Sequence, residues 1–126
     1  MKVLIAEDDE NVRHSVAYVL EDAGCEAVFT CNGREAWELL DNGEKFDLVL
    51  SDYNMPKMTG LELLRRVRGD NRTVDVIFVL MSGGVSTEKT PLEEVCVELG
   101  ATFLPKPFSI SALFALLGTE WVADSS

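Results

Sequence analysis

The stretch "DLVLSDYNMP", residues 47–56, decides how the chain is read. Leu48, Val49 and Leu50 form a continuous apolar run, which suits a strand buried on both faces of a sheet rather than one with a wet face. The run ends on a carboxylate, Asp52, with Asn54 and Pro56 just beyond. A charge at the end of a buried run is either pinned at a rim by solvent or held there for chemistry.

Short apolar runs of the same kind recur on both sides of this stretch, each separated from the next by an amphipathic segment. "KVLIAED" (2–8), "CEAVFT" (25–30), "DVIFVLMS" (75–82) and "ATFLP" (101–105) are predicted strands. Between them, "ENVRHSVAYVLEDAG" (10–24) places Val12, Val16, Val19, Leu20 and Ala23 at helical spacing and stops at Gly24, a typical helix-ending residue. "GREAWELLDNG" (33–43) carries Ala36, Leu39 and Leu40 on one stripe, and "TGLELLRRVRGD" (59–70) buries Leu61, Leu64 and Val67. A fourth helix is expected from Thr90, where Thr90-Pro91-Leu92-Glu93 reads as a capping box with proline at the first helical position, through Val95, Cys96 and Leu99 to Gly100. "SISALFALLGTEWV" (109–122) is the fifth.

Five strands alternating with five helices imply right-handed crossovers and a parallel sheet covered on both faces. Residues 1–120 read as one domain and 121–126 as a short C-terminal tail. At 126 residues the chain is long enough for a real core, and 47% apolar with 26% charged residues is ordinary for a globular protein. The net charge of −11 opposes binding to nucleic acid or to an anionic membrane. Neither a signal peptide nor a membrane span is indicated. Cys25, Cys31 and Cys96 are odd in number and lack C-x-x-C spacing, so reduced thiols in a cytoplasmic protein are expected rather than a disulfide framework or zinc site. His14, the only histidine, falls mid-helix and reads as an ordinary helix residue.

In parallel sheets of this kind ligands bind at the carboxyl ends of the strands. Strand one ends in Glu7-Asp8-Asp9, strand three in Asp52, strand four in Ser82-Gly83-Gly84 and strand five in Lys106-Pro107. Taken singly, each has a bland reading. Asp9 is most simply the N-cap of the first helix, Glu7 and Asp8 solvated loop acids, Ser82 a turn residue and Lys106 a surface lysine. Taken together, the bland reading needs four strand ends to assemble an acid cluster and a compensating lysine by chance.

Carboxylates crowded together repel and raise one another's pKa unless a cation is present. Oxygen ligands with few protein donors suit Mg²⁺, which keeps several waters and favours carboxylate with phosphate. Asp52 is then placed to be a nucleophile toward phosphorus, with Lys106 balancing the charge of the transferred group and Ser82 donating to one of its oxygens.

Glu7-Asp8, Asp52 with Met55-Pro56 and Gly60, Ser82, and Lys106-Pro107 together resemble the receiver domain of two-component response regulators, in the same order and over residues 2 to about 117. The resemblance implies a flavodoxin-like, CheY-like fold, α/β and doubly wound, with strand order 2-1-3-4-5. It implies Asp52 as the residue phosphorylated by a histidine kinase or histidine phosphotransfer protein. It implies Asp8, Asp52 and the backbone carbonyl of Asn54 as Mg²⁺ ligands, and Glu7 acting through a metal-bound water. Lys106 resembles the lysine that contacts the phosphoryl group, and its bond to Pro107 is a candidate cis peptide. Ser82 and Phe103 match the switch positions, although Phe103 also reads as an inward core residue of strand five. The output implied is a changed surface on helix four, strand five and helix five, where a downstream target, an output domain or a second copy could dock as a homodimer. Such a domain assists its own phosphorylation and hydrolysis without being a turnover enzyme.

The chain departs from that pattern between Ser82 and Lys106, which is about two residues longer. The extra length falls in "GGVSTEKT" (83–90), predicting a mobile loop over 83–89 and a displaced or short helix four. The positions two after Asp52 and two after Ser82, which influence acyl-phosphate lifetime in this family, are Asn54 and Gly84.

Other classes fit less well. A flavodoxin-like cofactor binder needs a phosphate cradle after strand one, where this chain has three acids. A haloacid dehalogenase type hydrolase usually needs a second Asp two residues after the nucleophile, where this chain has Asn54. A degenerate receiver acting as an unphosphorylated interaction module is the remaining alternative.

Overall fold

The computed structural model describes residues 1–84, 88–109, 111–113 and 115. Five strands, β1 (Lys2–Ala6), β2 (Glu26–Thr30), β3 (Leu48–Asp52), β4 (Ile77–Ser82) and β5 (Thr102–Pro105), alternate with α1 (Glu10–Asp22), α2 (Gly33–Asp41), α3 (Gly60–Arg68) and α4 (Leu92–Glu98). Residues 111–113 and 115 are helical, and the remainder of the expected fifth helix and the expected tail lie outside the described residues. All strand pairs are parallel, in the order β2-β1-β3-β4-β5 that the flavodoxin-like reading requires.

The order explains the composition of the strands. β1, β3 and β4 are central and buried almost end to end, so they are apolar on both sides of the pleat. β2 and β5 are edges and are only partly covered. Alternation along each strand sorts the core into two layers. Leu4, Val49, Phe78 and Leu80 pack with α2, α3 and α4, whereas Val3, Ile5, Leu48, Leu50, Val79 and Met81 pack with Val16, Val19 and Leu20 of α1 and with Leu113.

Helix ends follow local chemistry, with two departures from expectation. Asp9 caps α1, its carboxylate accepting from the backbone N–H groups of Asn11 and Val12. Gly24 follows at φ 75°, a conformation that costs a residue with a Cβ more than it costs glycine. Ala23, expected on the buried stripe of α1, is instead exposed, because the helix ends at Asp22 and Ala23 already belongs to its cap. The Thr90 capping box does not form. Pro91 is the cap residue, in an extended conformation (φ −54°, ψ 140°), and no side chain bonds the first turn. Burial of Leu92 sets the start of α4 one residue later than the sequence motif. α4 is short, at seven residues. Residues 85–87 of the expected mobile loop lie outside the described residues.

Candidate functional site

The strand registers bring the chemistry to one rim. Ala6 of β1 stands beside Ser51 of β3, so Glu7 and Asp52 leave the sheet side by side. Asp52 pairs with Met81 and Ser82 with Pro105, which sets Lys106 just past the ends of β4 and β5. Oxygens of Glu7, Asp8 and Asp52 all lie within 4.8 Å of one another.

Lys106 bridges the two buried acids. Its ammonium donates to Glu7 Oε1 at 2.6 Å and lies 3.1 Å from Asp52 Oδ1. The second Glu7 oxygen accepts from the Asp9 backbone N–H at 3.1 Å. Glu7 is 0% exposed and Asp52 7%, while Asp8 reaches solvent. Burial pushes the Asp52 carboxyl above the usual carboxylate range against the pull of Lys106, and Asp8 adds to the rise. Burial likewise raises Glu7, with the Asp52 charge adding to it. Burial works against the Lys106 ammonium, but its bonds to Glu7 and Asp52 outweigh that and hold its pKa above the ordinary lysine value.

Three clustered carboxylates with only one cation between two of them form an all-oxygen donor set short of positive charge. That set fits Mg²⁺.

The backbone around Asp52 is held from several sides. The Tyr53 N–H donates to the Met81 carbonyl at 2.7 Å, and the Gly60 N–H donates to the Tyr53 carbonyl at 2.9 Å. A Cβ on Gly60 would overlap the Asp52 carbonyl oxygen, so only glycine lets the start of α3 come this close. Arg13 of α1 donates to the Glu7 carbonyl at 2.9 Å. The Lys106 backbone N–H donates to the Ser82 carbonyl at 2.8 Å, and the Lys106–Pro107 peptide is cis, as the sequence motif suggested.

The remaining expected residues are placed as follows. Ser82 is buried at the end of β4, and Asn54 is exposed just past β3. Gly84 faces Asn54 closely enough that a Cβ there would sit 3.3 Å from Asn54 Nδ2. Phe103 is partly buried on β5, paired with Leu80 and packed against the layer that contains Tyr53, Leu92 and Cys96. Two contributors were not anticipated. Arg13 is one; its bond to Glu7 crosses from helix to strand end and leaves no pattern in the sequence. The other is Tyr53, which is buried in the core, yet its hydroxyl donates to Glu88 Oε2 at 3.1 Å across 35 positions of chain.

The family model of the response regulator receiver domain matches residues 3–118. The chain belongs to this family. Chemotaxis protein CheY1 of Helicobacter pylori is 34% identical to this receiver domain over 119 residues, covering 90% of each chain. The solved structure of the chemotaxis response regulator CheY4 of Vibrio cholerae matches with a TM-score of 0.78 and 32% identity, covering 94% of this chain and 96% of that one. The receiver domain of Francisella response regulator 1452 matches with a TM-score of 0.82 and 27% identity, covering 98% of each. Receiver domains are signalling domains that bind Mg²⁺ at an acidic pocket, and this chain carries an acidic cluster of Glu7, Asp8 and Asp52. No helix among the described residues is long and apolar enough to cross a membrane.

Proposed function

We propose that the chain is a phosphorylation-controlled switch in which Asp52 is the phosphoacceptor. The observation that carries this is the placement of Asp52, a nearly buried carboxylate at the end of β3, 3.1 Å from the Lys106 ammonium and clustered with Glu7 and Asp8.

The donor is a phosphohistidine of a histidine kinase or histidine phosphotransfer protein. A carboxylate oxygen of Asp52 attacks phosphorus, the P–N bond breaks, and its electron pair returns to the imidazole nitrogen. Asp8, Asp52 and the Asn54 carbonyl would hold Mg²⁺, with Glu7 acting through water. Bound there, the ion supplies positive charge to the carboxylates and to a phosphoryl oxygen. Lys106 already lies beside Asp52 and stabilises charge on the transferred group, and the Ser82 hydroxyl donates to a phosphoryl oxygen. Hydrolysis by water returns Asp52 to the carboxylate. The chain is acceptor and switch, with no diffusible substrate turned over.

Phosphorylation favours a second arrangement of residues 83–89 and Phe103 and so changes the surface of α4, β5 and the helix after it. A downstream protein, an output domain or a second copy docks there. We place the domain in the cytoplasm, where Cys25, Cys31 and Cys96, all unbridged, stay reduced.

The test is intact-mass measurement after exposure to acetyl phosphate. The parent gains one phosphoryl group only when Mg²⁺ is present, the adduct is lost at alkaline pH, and Asp52→Ala gains none. If the parent shows no adduct and forms no beryllofluoride complex, the unphosphorylated interaction module takes this reading's place.

A further inference from the structure

Tyr53 directly follows the proposed phosphoacceptor, and its side chain leaves the site altogether. The ring is 4% exposed in the layer beneath α4, and the hydroxyl donates to the carboxylate of Glu88, an exposed residue between Gly83-Gly84 and the start of α4. One end of this bond is fixed. The Tyr53 backbone is tied to Met81 and to Gly60, and its ring is enclosed by core. The other end belongs to a connection that begins with two adjacent glycines and reaches a helix whose first turn has no side-chain cap.

We propose that the Tyr53–Glu88 bond is a latch that holds Glu88, ahead of α4, in its present place and so opposes the switch. This rests on the phosphoacceptor reading above. Drawing Ser82 toward a phosphoryl group on Asp52 moves the end of β4, from which the connection to Glu88 departs. Tyr53 cannot follow, because its backbone bonds and its core packing hold it. A bond already at 3.1 Å passes the limit of hydrogen bonding within a few tenths of an ångström. The latch is therefore present in one arrangement and absent in the other, which is the condition for biasing a two-state equilibrium. A ligand that binds the switched arrangement must overcome that bias, and its apparent affinity falls by the same factor.

The test is calorimetric titration of beryllofluoride, a phosphoryl mimic, with Mg²⁺ in excess, into the parent, Tyr53→Phe, Glu88→Ala and the double variant. Each single variant is expected to bind about fivefold more tightly than the parent, the scale of one hydrogen bond to an exposed carboxylate. The double variant binds no more tightly than either single, since both delete the same bond. Glu88 is on the surface, so Glu88→Ala reports even if Tyr53→Phe folds poorly. A second readout needs neither metal nor mimic on the variant: amide resonances of Glu88, Lys89 and Thr90 in free Tyr53→Phe shift along the line from the free parent to the parent's beryllofluoride complex. Unchanged affinity in both single variants, additive effects in the double, or shifts off that line overturn the latch while leaving the phosphoacceptor standing. Failure of the parent itself to bind, together with no adduct from acetyl phosphate, overturns both.

Discussion

Lys106 stands where the proposed acceptor chemistry needs a cation, yet its shorter contact is to Glu7. Glu7 has no exposed surface, and that ammonium and the Asp9 N–H favour its charged form against the cost of burial. The lysine thus serves two carboxylates at once, and a phosphoryl group on Asp52 would compete with Glu7 for it. Past the end of β4 the crowding is controlled by the smallest side chain. A Cβ at Gly84 would press on Asn54 Nδ2 at 3.3 Å, and we expect it to hinder the approach of water to the proposed acyl phosphate on Asp52. We expect Gly84→Ala to slow loss of the phosphoryl group by about threefold, a barrier change of well under 1.4 kcal/mol. The decay of phosphorylated parent and variant, followed by phosphate release in Mg²⁺, checks this; equal lifetimes would sink it.

Helices in this chain are started by two different means. α3 opens on a full capping box: Thr59 accepts from the Glu62 N–H at 3.2 Å, and the Glu62 side chain accepts from the Thr59 N–H at 3.1 Å. α4 carries the same letters at Thr90 and Glu93 without forming the bonds. The two threonines therefore differ in what they contribute. Thr59→Ala should cost about 1 kcal/mol in urea denaturation, whereas Thr90→Ala should change stability by less than about 0.5 kcal/mol. Because α3 follows directly on the Asp52–Gly60 contact, its cap also holds the rim of the site. The start of α4, lacking one, depends on Leu92 and on the Glu88 bond to Tyr53. That difference suits the proposed roles, an acceptor strand that stays put beside a connection that moves.

Far from the site, one side chain joins three segments. The Arg68 guanidinium at the end of α3 donates to the carbonyls of Leu99 and Gly100 after α4, at 2.7 and 3.0 Å, and to those of Val74 and Val76 before β4, at 2.9 and 2.7 Å. Burial lowers its pKa from the ordinary arginine value, but the group stays charged at any pH at which the fold exists. A lysine ammonium, with three donors on a single nitrogen, cannot reach all four oxygens. Arg68→Lys should lose about 2 kcal/mol in urea denaturation while leaving Mg²⁺-dependent phosphorylation at Asp52 intact.

Much of this protein was legible in its residues alone. Apolar runs against amphipathic ones fix which segments are strands and which are helices, since a strand buried on both faces admits no polar alternation. The motifs at the ends of those strands then name Glu7, Asp8, Asp52, Ser82 and Lys106 as candidates, because connection rules send parallel strand ends to a common rim. Asp9 as a cap was readable for the same local reason, a short acid just before a helical stripe. What could not be read were interactions whose partners are distant in sequence and whose geometry follows from packing. Lys106 between Glu7 and Asp52, Tyr53 on Glu88, and Arg68 across four carbonyls join residues that no local pattern relates. The failed cap at Thr90 belongs to the same class: local propensity offered a bond, and burial of Leu92 two residues later took precedence. A pattern records what each segment prefers. Only the packed chain shows which preferences are compatible, because burial of whole side chains outweighs a single exposed hydrogen bond.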